Sequence, residues 1–303
     1  MKILKQGVHY DVPSKVYHAD CGSRPSLSSS IAVKMIEESP EDAMLAHPRL
    51  NPDHEEVHKK IFDIGTAAHV MLCERTTNGI VAVKPENFPS AGKEAKVPGG
   101  WTNGAIKAER ARIYASGMTP ILQKEFDELV PMVARAKEFM ADTKYAESFE
   151  RAKPEVTILF TDEASNGQRV LCRVRLDLYD QLLGIVYDYK TGAGLGNPRT
   201  FEQRAKNLKY PMKSMLYARG VNCAGLPFQE FVFLHQSTKP PFACSISSLS
   251  PEMEGIAVSE SQRAIDLWQR CLKAKKWPSF GHQLNFVEAK PWDLAAEEML
   301  GGN

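Results

Sequence analysis

The sequence lacks the features that would place the chain in a membrane or in a secretory pathway. Its 303 residues contain no apolar run near the roughly 20 residues that a membrane-spanning helix needs. The apolar stretch of a signal peptide is also missing from the first residues, MKILKQGVHYDVPSK. We therefore expect a cytoplasmic protein with no membrane partner.

Ordered cysteine spacing and a strong net charge are missing as well. The six cysteines are scattered and form no CxxC pair, which fits neither a zinc site nor an iron–sulfur cluster. Buried, reduced thiols are the expected state. The formal net charge is +1, so any nucleic-acid surface must come from local clustering of basic residues.

Two common enzyme signatures do not occur. The chain has no G-x-S-x-G and no GK[ST], which argues against a serine α/β hydrolase and against a P-loop enzyme. The glycine-rich stretch at 192–196 does not have the GxGxxG spacing of a dinucleotide loop either. We interpret it as the exit from a strand.

Helical and strand patterns alternate along the chain and predict an α/β (α+β) fold with a small mixed sheet flanked by helices. Helices are expected over 57–75, 105–118, 119–150, 200–220 and 251–276, and strands over 155–161, 170–178, 185–190, 228–235 and near 242–248. We expect one domain over 1–303, with a helical part at 1–118 that contains a mobile loop at 84–104, a catalytic core at 119–248, and a C-terminal helix and tail at 249–303.

Three residues in the middle of the chain carry the strongest chemical signal. Asp188 and Lys190 are two apart on a predicted strand, so their side chains project from one face. The hairpin signal Asn166-Gly167 precedes a strand whose polar face carries Asp177. Two adjacent carboxylates repel unless a cation lies between them, and oxygen ligands suit Mg²⁺ or Mn²⁺. A neighbouring lysine can orient or deprotonate an attacking water, so the trio suits metal-assisted phosphodiester hydrolysis.

The same residues also permit a purely structural interpretation. D-x-K is a common tripeptide, and Asp188 can simply end a strand while Lys190 is solvated. His69 is a lone histidine on a predicted apolar helix, which is usually structural, and imidazole is not the preferred ligand of Mg²⁺.

Beyond these residues, the sequence resembles the PD-(D/E)xK nucleases, specifically the RecE-like (exodeoxyribonuclease VIII) and RecB-like branch that includes phage exonucleases. The resemblance extends over most of the chain. Its motifs are the opening VYHADCGSRPSLSSSIAVKMIEESPEDAML, the GxxxH helix with Gly65 and His69, Glu155 at the first core strand, Asp177, the D-x-K-T motif from Asp188 to Thr191, and Tyr217 of the QxxxY helix. It implies a restriction-endonuclease-like core.

The resemblance also implies a role for each matching residue. The implied ligands of Mg²⁺ or Mn²⁺ are Asp177, Asp188, the backbone carbonyl of Tyr189, and His69, the last directly or through water. Lys190 would be the catalytic lysine. Glu155 would support the metal or its waters, which makes it the fifth member of the expected active site.

A basic helix with interleaved tyrosines is predicted directly after the glycine-rich stretch. Such a helix can follow a phosphate backbone or stack a frayed base, and a solvated charged helix is the alternative. Where the resembled family has the glutamine of QxxxY, this chain has Lys213, which can still meet a phosphate. The residues expected to contact DNA are Lys213, Tyr217, Tyr210, Lys209, Arg173 and Arg175, although the arginines can instead pair with acidic neighbours.

The favoured function is a Mg²⁺- or Mn²⁺-dependent exonuclease that resects linear duplex DNA ends in phage or bacterial recombination. The resemblance implies 5′→3′ polarity, a ring-shaped homo-oligomer and a single-strand annealing protein as partner. A second hypothesis is a nuclease fold that holds DNA or a protein partner without cutting. The complete set of Asp177, Asp188 and Lys190 argues against it.

Overall fold

The structure is a computed structural model that describes residues 2–54, 60–88, 100–101, 104–282, 284, 286–291 and 295, with the backbone alone at 60–62. The helices are α1 (Ser14–His18), α2 (Ser29–Glu37), α3 (Pro40–Leu45), α4 (Lys60–Leu72), α5 (Gly104–Ala115), α6 (Gln123–Ala141), α7 (Ala146–Arg151), α8 (Pro198–Asn207), α9 (Tyr210–Cys223) and α10 (Pro251–Ala274). The strands are β1 (Gly7–His9), β2 (Leu27–Ser28), β3 (Ile80–Val83), β4 (Thr119–Leu122), β5 (Lys153–Glu163), β6 (Arg169–Asp180), β7 (Ile185–Gly192), β8 (Glu230–Ser237) and β9 (Cys244–Ser247).

The main sheet is mixed. Its strand order is β1-β5-β6-β7-β8-β9, with β2 paired beside β6, and β3 and β4 form a separate small sheet. Strand β6 pairs antiparallel with both β5 and β7, whereas β7 and β8 are parallel. A parallel pair needs a crossover connection, and the segment that contains α8 and α9 makes it. This crossover brings α9 against the sheet, where it contacts β5 and β6.

Helices cover both faces of the sheet, which confirms the predicted α/β fold class. On one face, α2, α9 and α10 enclose a core cluster that includes Val174, Phe233 and the fully buried Trp268. On the other face, α4, α6 and α7 enclose a second cluster that includes Leu72 and Tyr187. Strands buried on both sides are expected to be largely apolar, as β8 is in its central residues, whereas the buried part of β7 carries the charged Asp188.

Several element boundaries differ from the prediction. The predicted helix over 119–150 begins as strand β4, because 119–122 pair in parallel with β3. The predicted helix over 200–220 is two helices, because Lys209 adopts a left-handed backbone with φ of 54° between them. The expected basic face is therefore divided. Most of the predicted loop over 84–104, and the start of the helix predicted from residue 57, lie outside the described residues.

The six cysteines form no disulfide bond, and four of them are buried as predicted. Cys223 is exposed instead, because it ends α9 at the surface. Among the described residues, no helix is both long and apolar enough to cross a lipid bilayer.

Candidate active site

Three acidic residues lie in one row across β5, β6 and β7. Leu178 of β6 pairs with Pro154 of β5 and with Tyr187 of β7. The next residue along each strand in this direction is an acid: Glu155 on β5, Asp177 on β6 and Asp188 on β7. The register of the antiparallel meander therefore brings together carboxylates that are distant in the sequence.

The strand geometry is irregular at this row. Leu176 packs into the cluster under α9 and α10, whereas Leu178 packs into the cluster on the opposite face. In an uninterrupted strand these two residues would share a face, as the sequence predicted. Glu155 has a φ of 54°, a left-handed conformation that costs a non-glycine residue about 1–2 kcal/mol. The carboxylates thus gather where the regular alternation breaks.

His69 reaches the row from α4. Its Nε2 lies 2.6 Å from Glu155 Oε1, and its Nδ1 lies 3.6 Å from Asp177 Oδ2. One potential ligand atom from each of the three residues lies within 4.8 Å of the other two. The predicted GxxxH helix therefore places its histidine between the two carboxylates. Gly65 faces Thr191, and an added Cβ there would lie 3.6 Å from Thr191 Oγ1, which is ordinary contact.

Asp188 is paired with Lys190 and not with the histidine. Lys190 Nζ lies 2.6 Å from Asp188 Oδ2 and 3.9 Å from Asp177 Oδ2. The Tyr189 backbone N–H donates to Asp177 Oδ2 at 3.0 Å. Since the N–H and C=O of one strand residue point to the same edge, the Tyr189 carbonyl faces the Asp177 side as well.

These donors fit a divalent cation. Asp177 and Glu155 offer carboxylate oxygens, which suit Mg²⁺ and Mn²⁺, and His69 offers an imidazole nitrogen, which suits later transition metals. Among the side chains expected as ligands, His69 and Asp177 are grouped with Glu155, whereas Asp188 is held by Lys190.

The two aspartates of the row differ in pKa. Burial raises the pKa of Asp188 to about 6, with Lys190 opposing the rise and Asp177 adding to it. Burial also acts to raise the pKa of Asp177, but the nearby charges of Lys190 and His69 hold it well below its ordinary range. Burial acts to lower the pKa of Lys190, yet Asp188 and Asp177 raise it above its ordinary value. Lys190 is therefore a cation at neutral pH.

His69 holds a proton in this arrangement. Burial acts to lower its pKa, but Cys73 and Asp177 outweigh burial and raise it well above the ordinary value. Since burial also raises the pKa of Cys73, that side chain stays a neutral thiol and Asp177 is the effective anion. A histidine must be neutral to coordinate a metal, so cation binding at His69 would release a proton.

Arg175 contacts the row through Glu155. Its Nη2 contacts Glu155 Oε2, and its guanidinium carbon lies 5.7 Å from the centre of the Tyr17 ring. Its Nε and Nη1 are buried without a hydrogen-bond partner among the described residues. Tyr17 was not predicted as a site residue; its only sequence signal was its place in the Tyr-His opening of the resembled family.

The prediction that Arg173 contacts DNA is corrected by its burial. The side chain is 3% exposed, and its Nη1 lies 3.0 Å from Asp20 Oδ1 and donates to the Ser26 carbonyl at 2.6 Å. Lys209 is likewise engaged, with its Nζ 2.7 Å from Glu260. Both lie in structural ion pairs because the segments that carry their acidic partners fold over them.

The other residues predicted to contact DNA surround a pocket beside the row. It has a volume of about 350 Å³, and Arg175, Tyr210, Lys213 and Tyr217 all line it. A second pocket of about 700 Å³ adjoins it, and both pockets share His69, Asp177 and Lys190 among their walls. The row therefore borders both pockets.

The fold is similar to that of a solved structure. A candidate exonuclease from Eubacterium rectale matches with a TM-score of 0.59 at 12% sequence identity, over 95% of this chain and 99% of that one. A second structure, SSO0001, matches 70% of this chain and 88% of its own at 12% identity, but its TM-score of 0.27 supports no argument. No protein-family model and no curated protein matches the chain. At such identity, the first match shows a shared fold.

Proposed function

We propose that this chain is a divalent-cation-dependent nuclease that cuts phosphodiester bonds in DNA. One observation carries the proposal: three carboxylates, a histidine and a partly buried lysine converge on a single row that two pockets reach. Like charges that are partly buried and this close together are costly unless a cation balances them.

The residues divide the work of hydrolysis among themselves. Asp177, Glu155 and His69 would hold the cation, with Asp188 and the Tyr189 carbonyl beside them. The bound cation would supply Lewis-acid stabilisation of charge on the phosphate. Lys190 lies beside Asp188 and Asp177, where its ammonium group would orient a water and stabilise negative charge in the transition state.

The finer proposal is an exonuclease on linear duplex DNA. It is supported by the fold shared with a candidate exonuclease and by the PD-(D/E)xK motifs. The 5′→3′ polarity, the ring-shaped oligomer, the annealing-protein partner and the role in recombination rest on the RecE-like resemblance. The choice between Mg²⁺ and Mn²⁺ is part of the same proposal.

The test is digestion of linear duplex DNA labelled at either end, with Mg²⁺ or Mn²⁺. Wild-type protein is compared with Asp188→Ala, Lys190→Ala and the control Lys206→Ala, whose lysine pairs with Glu202 on the surface. We expect cleavage by the wild type and the control, and a loss of at least about 10²-fold in the two site variants.

The outcomes separate the alternatives. If linear, nicked and single-stranded DNA all stay intact with either metal while the protein binds DNA, the non-cutting hypothesis replaces the nuclease. If Asp188→Ala cuts as fast as the wild type, the chemistry lies elsewhere. Label released from one end only would identify the polarity.

A further inference from the structure

A buried hydrogen-bond network lies behind the carboxylate row, on the opposite face of β7. Tyr189 stands between Asp188 and Lys190, and because side chains alternate along a strand, its ring points away from theirs. The ring packs into the core cluster that α4, α6 and α7 enclose, and the residue is 6% exposed. Its hydroxyl donates to Gln236 Oε1 at 2.5 Å, which links the side chain to β8.

Gln236 is fully buried and ties the tyrosine to two further segments. Its amide nitrogen donates to the Met132 carbonyl of α6 at 2.8 Å and to the Phe242 carbonyl before β9 at 3.1 Å. Two carbonyls need donors, so the amide nitrogen faces them and the amide oxygen is left to accept from the tyrosine. The Tyr189 hydroxyl is therefore held at one point by a side chain that cannot turn without breaking its own bonds.

The backbone of Tyr189 belongs to the carboxylate row. The register of β6 with β7 runs to the pair Leu178 and Tyr187. Beyond that pair, the Tyr189 N–H donates to the Asp177 side chain at 3.0 Å. The same residue thus bonds to the row through its backbone and to the core network through its side chain. Because β5 is irregular here, at the left-handed Glu155, a fixed point on β7 has a geometric task at the row.

Tyr187 offers a comparison on the same strand. It lies two residues earlier on the same face, is buried, and its hydroxyl donates to Ser148 Oγ at 2.7 Å. Ser148 in turn donates to Asp180 Oδ2 at 2.7 Å. These three residues line neither of the pockets at the row, whereas Tyr189 lines the larger one. The two tyrosines are alike in burial and hydroxyl bonding, and they differ in their link to the site.

We propose that Tyr189 and Gln236 are positioning residues of the active site. Their hydrogen bond fixes the part of β7 from which Asp188 and Lys190 project. Resting on the proposed nuclease function, the pair acts through the strand and touches neither the cation nor the DNA. Phenylalanine at position 189 would keep the ring packing and lose the fixed point, so the cation site would bind more weakly.

The test is titration calorimetry with Mn²⁺ on the full chain, without DNA. Tyr189→Phe should weaken Mn²⁺ binding about tenfold, since a group that orients a metal ligand typically contributes roughly 10- to 100-fold to affinity. Tyr187→Phe is the matched control, because it also removes one hydroxyl from a buried bond on β7, and it should keep the wild-type affinity. The urea midpoints of the two variants should fall by similar amounts, which separates positioning from stability.

Gln236→Met gives a second measurement of the same contact. It removes the acceptor of the tyrosine hydroxyl, so it should also weaken Mn²⁺ binding about tenfold. The double variant with Tyr189→Phe should lose no more affinity than Gln236→Met alone, because two residues that act through one contact are not additive. Losses that multiply in the double variant would contradict the pairing.

Three results would overturn the positioning role. Wild-type Mn²⁺ affinity in Tyr189→Phe would limit the network to packing. Equal losses of affinity in Tyr189→Phe and Tyr187→Phe would assign the effect to stability. A wild type that binds no Mn²⁺ would leave nothing to position. Failure of the proposed function is a different outcome, in which DNA stays intact while Mn²⁺ binds and the two tyrosine variants still differ in affinity.

Discussion

Arg173 and Arg175 lie two residues apart on β6, and their guanidinium carbons lie 5.6 Å and 5.7 Å from the same Tyr17 ring. The two arginines differ in the acidic residue with which each forms an ion pair. Arg173 pairs with Asp20, which is fully buried beneath the N-terminal segment, and lines neither pocket at the carboxylate row. Arg175 pairs with Glu155 in the row itself and lines both pockets.

The comparison shows that the role of each arginine depends on the residues that surround it in the fold. Strand alternation puts both arginines on one face, so local sequence cannot distinguish them. The Asp20 cluster is sealed: Ser26, His47 and Arg173 all contact the carboxylate. At the row, Arg175 borders open space and has two nitrogens without a partner among the described residues, whereas Arg173 has one.

The largest expected effect is on the free energy of unfolding, and it comes from the sealed side, the buried cluster around Asp20. Arg173→Met should lower the free energy of unfolding by roughly 3–5 kcal/mol, because it leaves the Asp20 carboxylate buried without its arginine. Chemical denaturation followed by circular dichroism measures the loss. Arg175→Met is the matched control and should lose less, because Glu155 keeps its contact with His69. Equal losses in the two variants would remove the distinction.

Acid should weaken the sealed cluster over a defined range. Hydrogen bonds from His47 and Ser26 and the Arg173 charge overcome burial and lower the pKa of Asp20 to about 2, from an ordinary value of 3.8. A lowered folded-state pKa stabilises the protein above pH 3.8, and this contribution is lost as pH falls toward 2. The stability gap between wild type and Asp20→Asn should therefore narrow by about 2 kcal/mol from pH 5 to pH 2.

Unfolding curves at several pH values measure this gap. If it keeps one width over the whole range, the carboxylate is not stabilised in the way that its contacts indicate.

A smaller effect, on Mn²⁺ affinity, is expected on the open side, the carboxylate row that borders both pockets. Arg175→Met should weaken Mn²⁺ binding about tenfold, because a group that orients a metal ligand typically contributes 10- to 100-fold to affinity. The physical reason is the loss of the contact that holds Glu155. Titration calorimetry measures the change, with Arg263→Met on the exposed side of α10 as control. Unchanged affinity in Arg175→Met would assign the arginine to packing alone.

The smallest effect is expected at Gly65, one turn before His69. Its added Cβ would meet only Thr191 Oγ1 at 3.6 Å, so Gly65→Ala should fit. Alanine favours a helix interior by about 1 kcal/mol over glycine, and the variant should gain up to that amount without losing Mn²⁺ affinity. Thermal unfolding and calorimetry test both parts, and a destabilised variant would show that the open side is more tightly packed than its contacts indicate.

Much of the site follows from local pattern. The two-residue spacing of Asp188 and Lys190, and the short connection between the predicted strands at 170–178 and 185–190, are enough to predict that Asp177 and Asp188 lie close together. The approach of His69 and Glu155 was expected only from the resemblance, because nothing local links α4 to β5. Glu155 also has a left-handed backbone that no propensity predicts, and its contact with His69 joins residues 86 apart in the sequence.

The fold, like the site, has parts that local pattern predicts and parts that depend on contacts between distant residues. Long periodic helices such as α10 and the central strands are found where the pattern predicted them. Strand β4 was read as helix because its apolar residues continue the period of α6, and only its pairing with β3 decides the matter. The separate fates of Arg173 and Lys209 depend on Asp20 and Glu260, which are distant in sequence.

The parallel pairing of β7 with β8 also governs when the site can exist. Contacts between distant parts of a chain form late, because loop-closure entropy must be overcome first. The β5–β6–β7 meander can form from neighbours, but α9 and Lys213 arrive only when the crossover closes. His69 precedes Glu155 by 86 residues and waits through most of synthesis for its carboxylate partners. A growing chain therefore does not bring His69 and the carboxylate row together until its folding is nearly finished.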